Sequence, residues 1–114
     1  MDLSNISKWT NQDWYNYHTS KLEEMPPEFL DKAVKFLTTY LSDEVKDKIK
    51  AAYREDTTHW IAGYHLGWGM GIRNALRNAG LPDDQLPDQN WDDYYGAVVE
   101  VVCGLRPMPG GNNE

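Results

Sequence analysis

Apolar residues recur at helical spacing along most of this chain. In "PEFLDKAVKFLTTYLS" the residues Phe29, Leu30, Ala33, Val34, Leu37, Tyr40 and Leu41 fall on one face, while Glu28, Asp31, Lys32 and Lys35 face water. Pro27 suits the first position of that helix. Upstream, Trp14, Tyr15, His18 and Leu22 predict a helix from Asn11 to Leu22, capped by Thr10 or Asn11 and stopped by Pro26 and Pro27. Downstream, Ser42 is placed to cap a third helix whose narrow stripe of Val45, Ile49, Ala52 and Tyr53 marks a surface helix. Asp43 and Glu44 sit where its dipole favours negative charge. The segment "LPDDQLPDQN" is a loop, and Asn90 can cap a last helix, "WDDYYGAVVEVVCGL". The β-branched run in that last segment also suits a buried strand, but no other segment offers a pairing partner.

The fourth segment is the unusual one. A helix from Thr58 to Ala79, closed by Gly80 and Pro82, contains Gly63, Gly67, Gly69 and Gly71. At about 100° per residue, Ile61, His65, Trp68, Ile72, Leu76 and Ala79 make one stripe. Gly63, Gly67, Gly71, Asn74 and Asn78 lie roughly opposite, with Trp60 and Tyr64 beside them. Each interior glycine costs about 1 kcal/mol relative to alanine, so something must offset several of them. Burial on both faces is the simplest source. The expectation is an all-α, single compact domain of about five helices packed around this central Gly-rich helix, with residues 1–10 as a lead-in, 11–105 as the domain and 106–114 as a disordered tail.

Composition adds limits. At 114 residues the chain is one domain by size and can bury a core without metal or disulfide staples. The single cysteine, Cys103, forms no internal disulfide, and no apolar run approaches the roughly 20 residues of a membrane span. These features predict a soluble, cytoplasmic protein without membrane contact. The net charge of −7 argues against long nucleic acid as a partner. Between Asp56 and Asp83 the only full charges are Arg73 and Arg77, so this stretch reads as a positive island suited to a compact anion.

Candidate chemistry gathers there. Arg73, Asn74 and Arg77 supply donors that suit phosphate or carboxylate, and His65, Trp60, Tyr64 and Trp68 could shape a pocket around them. The competing reading makes Arg73 an interhelical clamp to Asp92 or Asp93 and His65 a buried structural histidine. His59 and His65 have the wrong spacing for a shared metal, and no metal or cofactor is expected. No G-x-S-x-G elbow or phosphate loop exists, Gly67-x-Gly69-x-Gly71 follows no strand, and "RNALRN" lacks the histidine of the ribonuclease motif it is similar to.

His65, Gly69, Met70, Ile72, Arg73 and Asn74 also match the pattern H-x-x-x-G-M-x-I-R-N. This resembles the signature of an uncharacterised family of small bacterial and phage proteins, a domain of unknown function. The resemblance extends to Pro27, Leu30, Ala33 and Val34 before the signature and to Asp92 and Asp93 after it, spanning roughly Pro26 to Leu105. This chain has Gly71 where the family carries a bulky residue, and "ALRNAGLP" in place of a Trp-rich segment. The resemblance implies a fold and a region of interest, and no known activity. The functional expectation is a non-enzymatic module for a small anionic or nucleotide-like ligand, which a phage could use to sequester a host signalling nucleotide. The alternative is a protein-interaction or oligomerisation domain whose glycine strip seats a partner's helix. A homo-oligomer, most simply a dimer, is expected through the aromatic cluster Trp9, Trp14, Tyr15 and Tyr17.

Overall fold

The computed structural model describes residues 10–55, 67 and 69–109, and every regular element in them is helical. Five α-helices follow in order: α1 (Asn11–Glu24), α2 (Pro27–Tyr40), α3 (Asp43–Glu55), α4 (Met70–Asn78) and α5 (Tyr95–Val102). Two short 3-10 turns, Asp83–Gln85 and Trp91–Asp93, interrupt the stretch between α4 and α5. The radius of gyration, 13.3 Å, is what a single compact domain of this length gives. No helix among the described residues is long and apolar enough to cross a membrane.

Local chemistry sets the helix ends. Thr10 Oγ1 accepts the Asp13 amide while the Asp13 carboxylate accepts the Thr10 amide, a reciprocal capping box that starts α1. Ser42 caps α3 through the Val45 amide. After α4 the chain turns left-handed at Gly80 (φ +90°), and the Leu81 amide reaches back to the Leu76 carbonyl. Gly104 (φ +76°) repeats the device after α5, where the Leu105 amide bonds to the Glu100 carbonyl. Both turns need a residue without Cβ.

The core sits around α5. Tyr95 through Glu100 are all buried, and the helix packs against α1 and α2. A helix apolar on all sides is one surrounded by protein, which explains why a run of valines is helical here. Phe29, Leu30, Ala33 and Leu37 of α2 supply the facing wall, with Trp91 stacked on Phe29. Tyr40, expected on that buried face, is 50% exposed because it lies at the last turn of α2, where the chain breaks away into α3. The last helix is shorter than "WDDYYGAVVEVVCGL" suggests. Asn90 caps the Trp91–Asp93 turn through the Asp92 amide, and α5 proper starts only at Tyr95.

The expected centre, Thr58–Ala79, falls partly outside the described residues. Where it is described, the expectation of a buried glycine face is corrected. Gly67 and Gly71 are exposed, and a Cβ built on either meets no described heavy atom within 4 Å. Helix α4 does bury Ile72, Arg73 and Leu76 against the core, but with its other face. The reason is geometric: α5 already fills the centre, so among the described residues α4 packs on one side only.

Candidate functional site

Three places carry polar or open features, and the signature segment holds two of them. Of the residues singled out in the sequence, Trp60, Tyr64, His65 and Trp68 lie outside the described residues. Arg73, Asn74 and Arg77 sit on α4. The acidic loop that follows folds back onto them, and each arginine meets a carboxylate there.

Arg77 is held on two sides. Its Nε and Nη2 donate to the two Asp83 oxygens at 2.6 and 3.1 Å, and its Nη1 donates to Asn74 Oδ1 at 2.9 Å. Asp83 also accepts the Trp91 amide at 3.0 Å. The Arg77 hydrogen bonds hold the Asp83 carboxyl below the usual carboxylate range, with the Trp91 amide adding to the effect. Arg73 Nε lies 2.8 Å from Asp92 Oδ1, and its guanidinium sits over the Tyr95 ring at 5.1 Å. Burial pushes the Tyr95 phenol up to about 12, against the opposing pull of Arg73. The positive island of the sequence is therefore neutralised in space. Asp83 and Asp92 lie beyond the acid-free window in the chain but beside α4 in the fold.

The second feature is open and apolar. A groove of about 410 Å³ runs between the α2–α3 corner and the start of α4, lined by Tyr40, Leu41, Ser42, Val45, Gly67, Gly71 and Ile72. Gly67 and Gly69 lie in a wide, π-type turn that leads into α4 at Met70. Turns of this kind are rare and concentrate at functional places. Among the described residues, no basic side chain lines the groove.

The third feature was not legible as a site. Glu100, on the buried helix α5, is 1% exposed; His18 Nδ1 and Arg106 Nε converge on its Oε1, each at 2.9 Å. Arg106 belongs to the stretch expected to be a disordered tail, yet it is buried between α1 and α5. A lone arginine among prolines and glycines gives no periodic signal. His18 fell on the apolar stripe of α1, which was the only clue.

Nucleophilic chemistry has little to work with among the described residues. Burial pushes the Cys103 thiol up to about 11, which leaves it protonated and inert near neutral pH. Of the N-terminal aromatic cluster, Trp14 is buried, Tyr17 packs on the core, and Tyr15 is 37% exposed beneath Arg106; Trp9 lies outside the described residues. The fold itself therefore covers much of the surface offered for self-association.

Comparison with family models, with curated proteins and with solved structures finds no match to this chain. Its function is read from the chemistry of these three places.

Proposed function

We propose that this chain is a non-enzymatic protein-interaction module, and that the groove beside Gly67 and Gly71 receives the apolar side chains of a basic amphipathic helix. One observation carries the reading: the glycine face is open. Glycines in a helical segment cost stability, and at Gly67 and Gly71 no described atom needs the lack of a Cβ. A backbone approached from outside does need it. The adjoining walls of Tyr40, Leu41, Val45 and Ile72 suit apolar side chains. The net charge of −7 favours a basic partner, and it sets two copies of this chain against each other.

A small-anion site at Arg73, Asn74 and Arg77 is less well supported, because a phosphate there must displace Asp83 and Asp92. The test uses a fluorescent amphipathic peptide of leucine and lysine, titrated into the chain and into Gly71→Leu. Saturable binding that weakens with salt and is lost in Gly71→Leu supports the groove. Equal binding by both proteins, or none by either, contradicts it. Calorimetric titration with nucleoside phosphates is the counter-test. Saturating heat that disappears in Arg77→Ala would replace the proposal with the anion site.

A further inference from the structure

The environment of Arg106 is more than a salt bridge. Its Nε donates to Glu100 Oε1 at 2.9 Å, its Nη1 to Thr19 Oγ1 at 2.7 Å and its Nη2 to the Tyr15 carbonyl at 3.0 Å. The guanidinium carbon lies 4.2 Å from the centre of the Tyr15 ring. A carboxylate, a hydroxyl and a carbonyl thus answer the three edges of the planar fork, and an aromatic ring covers its face. Thr19 is set for this role, since its hydroxyl donates to the Tyr15 carbonyl at 2.9 Å and so turns a lone pair towards Nη1. His18 braces the carboxylate from the other side at 2.9 Å.

All of these acceptors belong to α1 and α5, the body of the fold. The guest arrives on an irregular segment that starts at the left-handed turn of Gly104 and continues through Pro107. Beyond it, Met108 and Pro109 face Leu22, Met25 and Leu30 of the α1–α2 elbow across a groove of about 250 Å³ that all five line. The host is built by packed helices, and the guest is delivered by an irregular strap whose Leu105 and Met108 lie half-buried against the core.

We propose that α1 and α5 form a guanidinium receptor, filled in cis by Arg106, which accepts an arginine side chain of an extended segment in trans when the strap is withdrawn. The ligand class follows from the geometry. An ammonium has no planar fork and cannot meet three acceptors in one plane.

The experiment removes the guest and offers substitutes to the full chain. Thermal melts are recorded for the wild type, Arg106→Ala and Arg106→Lys with millimolar ethylguanidinium or propylammonium. Arg106→Ala is expected to melt well below the wild type, and ethylguanidinium to raise its Tm saturably without moving the wild type. Propylammonium should do nothing, and Arg106→Lys should melt as low as the alanine variant. Wild-type melting by Arg106→Lys, equal rescue by both cations, or no rescue by ethylguanidinium would overturn the receptor. If Arg106→Ala does not fold unaided, its refolding with ethylguanidinium, followed by far-ultraviolet circular dichroism, is the readout. No recovery of helix in that case overturns the proposal as well. Thr19→Val, which keeps the side-chain shape and loses the acceptor, should weaken the strap and lower the Tm of the otherwise unaltered chain. An unchanged Tm there also counts against it.

Discussion

Helix α5 and the glycine turn leading into α4 both use residues that are poor helix formers, and the fold treats them in opposite ways. In α5 the valines lie against α1 and α2, and burial overrides their weak helical preference. At Gly67 and Gly71 the described residues supply no such compensation, because both glycines are exposed. Weak propensity that is buried reports on the core. Weak propensity that is exposed points to something outside the fold, and the interaction groove is proposed on that ground.

The contrast can be broken most forcefully at α5. Glu100→Ala strips the acceptor from the buried Arg106 and His18, and losing one member of a buried pair costs about 3–5 kcal/mol. The expected fall in Tm exceeds about 10 °C in a domain of this size. A melt within a few degrees of the wild type would mean that water reaches the pair. A milder version adds volume to the same helix. Ala97 is fully buried, so Ala97→Leu should cost about 1–3 kcal/mol by overpacking, measurable by urea denaturation.

Smaller effects sharpen the account of α4. The Asp83 carboxyl is held below its ordinary value by Arg77, so the folded state binds its proton less readily than the unfolded chain does. The stability it contributes is complete above the unfolded carboxylate range, near pH 4, and is lost as pH falls through the lower folded value. Melts of the wild type from pH 6 down to pH 2.5 should therefore fall more steeply than those of Asp83→Asn. Parallel profiles would show that the Arg77 pair contributes nothing. Asp93 runs the other way, since burial, with Asp88, Asp92 and Glu24 nearby, holds its carboxyl above the usual range against the opposing pull of Lys21. Asp93→Asn should raise the Tm slightly at pH 7, an advantage that disappears as acid protonates the native carboxyl.

Much of the helical framework was legible in the residues. The caps at Thr10 and Ser42, the proline start of α2 and the glycine turn at Gly80 are local chemistry, and local chemistry survives folding. The all-α class followed from periodicity for the same reason. What could not be read was which apolar face is central. A row of small residues presents the same pattern whether a neighbouring helix or open space lies opposite. For Arg73 two readings were left open, a clamp to Asp92 or Asp93 and an anion site, because a guanidinium suits either; the fold sets it against Asp92. Arg77 looked available because Asp83 ends the acid-free window, and only the turn after Gly80 brings it back. Arg106 was out of reach altogether: its partners Tyr15 and Thr19 sit at the other end of the chain.

The most direct test of the open glycine face is the melting temperature of Gly71→Leu, measured beside Ala97→Leu. An added side chain at position 71 meets no described atom, and leucine is the better helix former by somewhat under 1 kcal/mol. The Tm should therefore hold or rise by a few degrees while Ala97→Leu falls. A Gly71→Leu variant that melts as far below the wild type as Ala97→Leu would place the glycines in a packed interior and contradict the account.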